Sequence, residues 1–344
     1  MRTTIPCIKI EGKDNYDFGY KLGKKLSSKI KKRLELNKEM YAKRAQTKHT
    51  FKELIKKAKK FLPAIEKNFP HLLKEAKGMA NGAGIDFDEF LVCLCDEEIV
   101  DFEFILHCTS VGLKTEDGKI LLGHNEDWFP EYKKNGLVLV RGKIGKKKFL
   151  GLSYIGNLTG SAGGMNEKVA YTDTSFWFSK FEYKVPRSFH LRALLDAEKP
   201  EHAIKILNTQ GSIVSNTLLT FGDEILDVEE LYTKEAIYRP EKWIVHTNHP
   251  IKKEHRIKAF HEKETESVAR YERAREIMSK EKKPSINSIH KVLTDHKTNI
   301  CGHISNKNDD TTITIASYVF NPKEKWVRIY HGNPCNHKFK KYSL

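Results

Sequence analysis

Phe18, Leu22, Leu26, Ile30 and Leu34 recur every fourth position near the start of the chain. That spacing puts them on one helix face, and Asp14 or Asn15 can cap it. Phe51, Leu54, Ile55, Ala58 and Phe61-Leu62 predict a second helix that ends or bends before Pro63. A third ends near Asn81-Gly82, and Asp86 with Glu89 predicts a capped helix over Phe87–Glu98. At Cys108 the period changes to that of strands, expected at 108–114, 119–127, 136–143, 148–154 and 169–174. Helices follow near Phe189–Ala197 and from Pro200. Strands resume at 216–221, 225–229 and 242–247. Helical stretches at 263–280 and 286–294 lead to closing strands near 312–320 and 325–331. Sheets of this pattern need their apolar faces covered, so a layered α+β body is expected.

Asp117-Gly118 sits between two apolar runs, a strong hairpin signal. With those two as the loop, Cys108 faces Asp127 across the hairpin. With Glu116-Asp117 as the loop, it faces Asn125. Either register sets a polar group beside the thiol.

Composition narrows the picture. The 344 residues bury a sizeable core with ease. No apolar run is long enough for a membrane helix. The start, Met1 to Cys7, lacks a signal-peptide stretch, so a cytoplasmic address is expected. Cys7, Cys93, Cys95, Cys108, Cys301 and Cys335 show no CxxC pair and no metal-ligand spacing, and read as reduced thiols with no metal or other cofactor. The net charge of +16 is concentrated in residues 21–60, where 16 Lys/Arg face three acids. These lysines alternate with an apolar stripe and carry no nucleic-acid motif, so they read as a solvated helix face and not as a nucleic-acid site. Residues 84–104 hold eight acids and no Lys or Arg.

A lone cysteine on a strand is usually packing. Three features of Cys108 point to chemistry. Thr109 and Ser110 are polar, the partner strand ends in Asn125-Glu126-Asp127, and the chain changes period at this residue. Were the His107–Cys108 bond cut, the new α-amine, with a pKa of about 7.7–8.0, could take the proton of its own thiol near neutral pH. Asp127 would hold the ammonium, and an anionic intermediate would need backbone N–H groups or an Asn amide. Asp173 and Thr174, closing a strand, are candidate pocket residues beside His124 and Asn125. Cys93 and Cys95 read as packing. His246 and His249 show no third ligand for zinc. Asn157-Leu158-Thr159 is a glycosylation sequon without meaning in the cytoplasm.

The run from Cys108-Thr109-Ser110 to Gly123-His124-Asn125-Glu126-Asp127-Trp128 resembles the start of the mature chain in N-terminal-nucleophile hydrolases. It is most similar to the acyl-coenzyme A:6-aminopenicillanic acid acyltransferase (isopenicillin N acyltransferase) family, relatives of choloylglycine (bile-salt) hydrolases and penicillin V acylases. Further matches run in order: Phe18-Gly19-Tyr20-Lys21-Leu22-Gly23, Gly164-Met165-Asn166-Glu167-Lys168, Asn216 through Asp227-Val228-Glu229, Val245-His246-Thr247-Asn248-His249, Ile315-Ala316-Ser317, and Gly332-Asn333-Pro334-Cys335. The resemblance implies a four-layer αββα sandwich of two antiparallel sheets flanked by helices. It implies autocatalytic cleavage between His107 and Cys108, with 1–107 and 108–344 staying together as one unit. Cys108 matches the nucleophile, Asp127 the carboxylate near the freed amine, and Asn248 the oxyanion-hole amide. The substrate implied is a small amide or acyl donor. His107 replaces a residue often small in the family, His124 replaces an Arg of the bile-salt branch, and Asn308–Ile315 lacks the Arg of the penicillin enzyme near Thr311. These departures argue against a penicillin-pathway role.

Two other readings compete. One is an uncleaved Cys-His hydrolase with His124 or His246 as base. The other is a non-enzymatic binder of anionic ligands through residues 21–60.

Overall fold

The computed structural model describes residues 5–45, 48–100, 107–176, 182–231, 235–252, 255, 261–304 and 312–344. The strands are β1 (Cys7–Gly12), β2 (Thr109–Lys114), β3 (Ile120–Trp128), β4 (Leu137–Ile144), β5 (Lys147–Tyr154), β6 (Gly164–Asn166), β7 (Val169–Ser175), β8 (Ser215–Phe221), β9 (Glu224–Glu230), β10 (Glu235–Tyr238), β11 (Trp243–His246), β12 (Ile313–Asn321), β13 (Trp326–His331) and β14 (Phe339–Ser343). The helices are α1 (Asn15–Arg44), α2 (Phe51–Lys59), α3 (Leu62–Asn68), α4 (Pro70–Ala83), α5 (Phe87–Leu94), α6 (Asp96–Ile99), α7 (Arg187–Leu194), α8 (Pro200–Leu207), α9 (His261–Ser279) and α10 (Ile286–Leu293).

Two sheets stack face to face. One runs β1-β4-β5-β6-β7-β8-β9-β10 and the other β11-β2-β3-β12-β13-β14. Ser110 and Thr172 hydrogen-bond across the gap at 3.0 Å. The outer face of the six-stranded sheet packs Val111, Leu113, Leu121 and Val245 against Ala274 and Met278 of α9 and Ile289, Val292 and Leu293 of α10. The larger core joins the inter-sheet layer to the helices of the first hundred residues and to α7 and α8. This is the expected αββα order, with one departure: β1 pairs with β4 in parallel. The periodicity of residues 7–12 was too short to signal that strand.

Local chemistry explains the helix ends. Asp14 caps α1 through Asp17 N–H, Thr50 and Glu53 form a capping box on α2, and Asp86 caps α5, each worth about 1 kcal/mol. The stripe Phe18, Leu22, Leu26, Ile30 and Leu34 is buried, while Lys21, Lys24, Lys25, Lys29, Lys31 and Lys32 face solvent. Gly84, at φ +67°, ends α4. The single helix expected over Phe87–Glu98 breaks at Cys95, and the bend at Pro63 separates α2 from α3. Arg192 of α7 grips Glu75 of α4 with two 2.8 Å hydrogen bonds in the core.

The β2–β3 hairpin differs from both registers expected. Thr109 pairs with Asn125 and Lys114 with Ile120. Thr115 closes on Lys119, and Gly118 adopts φ +71°. An αL glycine at the end of a three-residue loop is the usual chemistry of that turn. The register therefore sets Cys108 across from Glu126. No described helix is long and apolar enough to cross a membrane.

Candidate active site

The register sorts the side chains of β3 by face, since successive residues alternate. His124, Glu126 and Trp128 turn toward the other sheet; Gly123, Asn125 and Asp127 turn toward α9 and α10. A Cβ on Gly123 would collide with Ile289 of α10. Asn125 donates to the carbonyls of Leu293 (2.9 Å) and Ile300 (2.7 Å) and so anchors the chain around α10. Thr174 bonds Asn216 at 3.4 Å inside the sheet.

Cys108 sits at the wall of a cavity together with Glu126, Trp128, Asp173 and Asn248. Its Sγ accepts from the Asp127 N–H at 3.5 Å and lies 3.7 Å from the Asp127 carbonyl. Burial, followed by the charges of Glu126 and Asp127, pushes the thiol well above its ordinary pKa. A neutral thiol of this kind needs a base to become a nucleophile. The Asp127 carboxyl is pushed up to about 7 by burial, against the opposing pull of Thr314 and Arg270.

Arg270 was not singled out from the sequence. Its guanidinium is fully buried. Nη1 donates to the carbonyls of both His107 and Cys108, the latter at 2.8 Å, and to Thr109 Oγ1 at 3.2 Å. Nη2 donates to Asn248 Oδ1 at 2.9 Å. Burial lowers its pKa to about 10, so it stays charged at neutral pH. A signal did exist. Ser267, Arg270, Ala274 and Met278 are all buried and share one face of α9, so an arginine stands on the stripe that meets the sheet. A buried arginine demands acceptors, and here they are the carbonyls flanking one peptide bond. Glu266, on the same helix, lies 3.3 Å from His107 Nε2.

Accepting from Arg270 fixes which way the Asn248 amide faces. Its Nδ2 donates to the Ser175 carbonyl at 2.9 Å. Its N–H donates to Ser267 Oγ at 2.8 Å.

The histidines are occupied. His124 Nδ1 is 2.8 Å from Ser110 Oγ and Nε2 3.2 Å from Glu126 Oε2. It comes within 4.8 Å of the Cys108 sulfur, yet both ring nitrogens already have partners. His246 stands 2.7 Å from the Thr247 carbonyl and 3.0 Å from Glu229. Burial works against its charge, but Asp227 and Glu229 outweigh it and hold the pKa above the usual value.

The cavity is acidic and aromatic. Asp96, Glu97, Glu126 and Asp173 line it with Trp128, Tyr132 and Tyr154. Arg187 is the lone cation among the described lining residues. It is committed to Asp173 and to Glu230. Burial pushes Asp96 up to about 7, and Glu97 rises for the same reason. The enclosed space is about 80 Å³; at roughly 10–15 Å³ per water-sized position, that is room for a short chain of heavy atoms. Cys93 lies in this wall, as does Asn157, whose amide donates to the Cys93 carbonyl at 3.3 Å.

The family model for acyl-coenzyme A:6-aminopenicillanic acid acyl-transferase matches residues 113–336. A curated relative, the β-alanyl-dopamine/carcinine hydrolase of Drosophila melanogaster, is 23% identical over an alignment covering 61% of this chain. The chain spans 59% of that relative's length. Among solved structures, the N-acylethanolamine-hydrolyzing acid amidase ortholog of Caenorhabditis elegans is similar at TM-score 0.48 and 15% identity, over 69% of this chain and all of that one. Penicillin V acylase from Agrobacterium tumefaciens is similar at TM-score 0.44 and 17% identity, over 65% of this chain and 83% of its own.

Proposed function

The chain belongs to the acyl-coenzyme A:6-aminopenicillanic acid acyltransferase family, and from that premise we propose that it is a self-cleaving amide hydrolase or acyltransferase with Cys108 as nucleophile. The observation that carries this reading is the Arg270 guanidinium, which binds the carbonyls on both sides of the His107–Cys108 bond. In the maturation step the Cys108 sulfur attacks the His107 carbonyl carbon. The C–N bond breaks, the nitrogen takes the thiol proton, and a thioester remains. Water then releases the His107 carboxylate and returns the thiol. Arg270 stabilises the charge that grows on the His107 oxygen. Fragments 1–107 and 108–344 stay together, because β1 is paired into the larger sheet.

The freed α-amine then serves as base for the thiol. The sulfur attacks the substrate amide, and Asn248 steadies the oxyanion. The amine leaves with the proton, and water or an acceptor amine takes the acyl group from sulfur. Asp127 pairs with the ammonium whenever it is charged. Both rings of the Cys-His alternative are already occupied, which favours the amine as base. The many free cysteines suit a reducing compartment such as the cytoplasm.

The cavity favours a substrate with a positive charge. Asp96, Glu97 and Glu126 line it against the committed Arg187, a cation beside the buried Asp96 and Glu97 draws them back to their charged forms, and an aromatic wall attracts cations through its ring faces. The β-alanyl group in the Drosophila relative's name ends in a primary amine. We therefore assign small aminoacyl amides as the substrate class. Denaturing mass spectrometry tests the maturation: wild type yields 1–107 and 108–344, and Cys108→Ala stays intact. An uncut yet active wild type would overturn it. Hydrolysis of β-alanyl amides faster than of their neutral propionyl counterparts tests the substrate class, and equal rates would overturn that part alone.

A further inference from the structure

Four metal-ligating side chains outside the active site converge where the turn after β13 meets the chain between α10 and β12. They are His296, Cys301, His303 and Cys335, with one donor atom from each within 4.8 Å of all the others. His303 Nε2 lies 3.1 Å from His296 Nε2, 3.6 Å from Cys301 Sγ and 3.5 Å from Cys335 Sγ. Zinc at about 2.3 Å from sulfur and about 2.0–2.1 Å from nitrogen requires tetrahedron edges of about 3.5 Å for S···N and about 3.3 Å for N···N. The three distances match those edges. We propose that these residues form a Cys2His2 site for a structural zinc ion.

The surroundings are built for one. Cys301 N–H donates to the Asp295 carbonyl at 2.9 Å, and Asn299 takes φ +58° to turn the chain between them. Gly302 is tied to Thr314 by bonds of 2.9 and 3.1 Å. Asn333 donates from Nδ2 to Cys301 Sγ at 3.5 Å, the outer-shell contact that orients a thiolate. On binding, the two thiols give their protons to solvent, and two thiolates neutralise the divalent ion. Lys133, whose charge acts on His303 and whose Nζ donates to Asn333 at 3.1 Å, then faces a neutral centre. All four positions belong to the protein, so the site is closed and structural, not catalytic. The sequence hid it because Cys335 lies far from the other three and no CxxC pair announces it. Zinc here would staple the chain that Asn125 also anchors at Ile300.

The test is metal content. Full-length protein purified under reducing conditions from zinc-supplemented medium is expected to hold about one zinc per chain. Cys335→Ser and the double variant Cys301→Ser/His303→Ala are expected to lose it, and Cys7→Ser to keep it. His296→Ala, at an exposed position, serves if the cysteine variants fail to fold, and is expected to lower the affinity for zinc. Apo-protein titrated with cobalt is expected to show the visible absorption of tetrahedral thiolate cobalt. Absence of both zinc and the cobalt spectrum would overturn the proposal. So would zinc that survives the double variant, since the metal would then sit elsewhere, for example at Cys108, His124 and Glu126. None of these readouts depends on self-cleavage or amidase activity.

Discussion

Arg270 Nη1 donates to the backbone carbonyl of Cys108 at 2.8 Å. The same guanidinium holds the His107 carbonyl and the Asn248 side chain, so one planar group spans the proposed cleavage point and the amide proposed to steady the oxyanion. Lysine keeps the charge but cannot reach three acceptors in one plane. Each charged hydrogen bond lost costs about 1.5–3 kcal/mol, so Arg270→Lys is expected to slow self-cleavage by roughly 10- to 100-fold. A time course of intact and cleaved chain by mass spectrometry reads it out. Cleavage at the wild-type rate would remove Arg270 from the mechanism.

Asp127 offers a test of the amine as base. In the proposed mature chain its carboxylate pairs with the Cys108 ammonium and favours the charged form, which raises the amine pKa. The amine must be neutral to take the thiol proton, so activity rises with pH through that value. Asp127→Asn removes the charge, lowers the amine pKa and moves the acidic limb of the kcat/KM profile down by about one pH unit. The variant protein is assayed after cleavage is verified. An unmoved limb would mean that the carboxylate does not face the amine.

The fold is most legible in the chain where its apolar period is long. The α1 stripe from Phe18 to Leu34, the hairpin around Gly118 and the helices flanking Pro200 and Ile286 all followed from apolar spacing and turn chemistry. β1, β6, β10 and β14, of three to six residues, did not. The hairpin register failed by one position, and that position decides which acid faces Cys108. Arg270, Arg187 and the acids Asp96 and Glu97 were missed as well. Arg187, Asp96 and Glu97 become meaningful only when segments far apart in sequence close around one cavity, and Arg270 only when its place on the buried stripe of α9 is read as a demand for acceptors.

The acid cluster under that cavity predicts a pH-dependent stability. Asp96 and Glu98 are raised to about 7 and about 8, chiefly by burial and then by neighbouring acids. Their unfolded values lie near 3.9 and 4.3. Groups raised on folding contribute stability that is complete below the unfolded pKa and fades as pH climbs through the folded one. The melting temperature of Cys108→Ala is therefore expected to fall from about pH 4 to about pH 8. Asp96→Asn keeps an acceptor for the 2.8 Å bond from Tyr41 and removes one charge. It should flatten the fall and gain on the order of 1 kcal/mol at the alkaline end. A parallel pH curve for the two proteins would refute the assignment.

The crossing of α1 and α4 sets two physical effects against each other. Gly19 and Gly23 face the carbonyls of Glu75 and Met79, while Gly78 and Gly82 face those of Tyr16 and Tyr20. A Cβ at any of the four would overlap backbone, which cannot swing aside as a side chain can. Helix propensity argues for Gly→Ala in mid-helix, by about 1 kcal/mol. Overpacking argues against it, by about 1–3 kcal/mol or more where backbone must move. Packing wins here, because separating the helices also loosens the contacts of Phe18, Leu22 and Met79 with the core. Gly78→Ala is expected to lower stability by about 2 kcal/mol in urea unfolding, and Gly19→Ala/Gly78→Ala to lose more than either alone. Ser28→Ala, on the exposed side of α1, should stay within about 0.5 kcal/mol of wild type. A stabilised Gly78→Ala would mean that the two helices do not touch at these glycines.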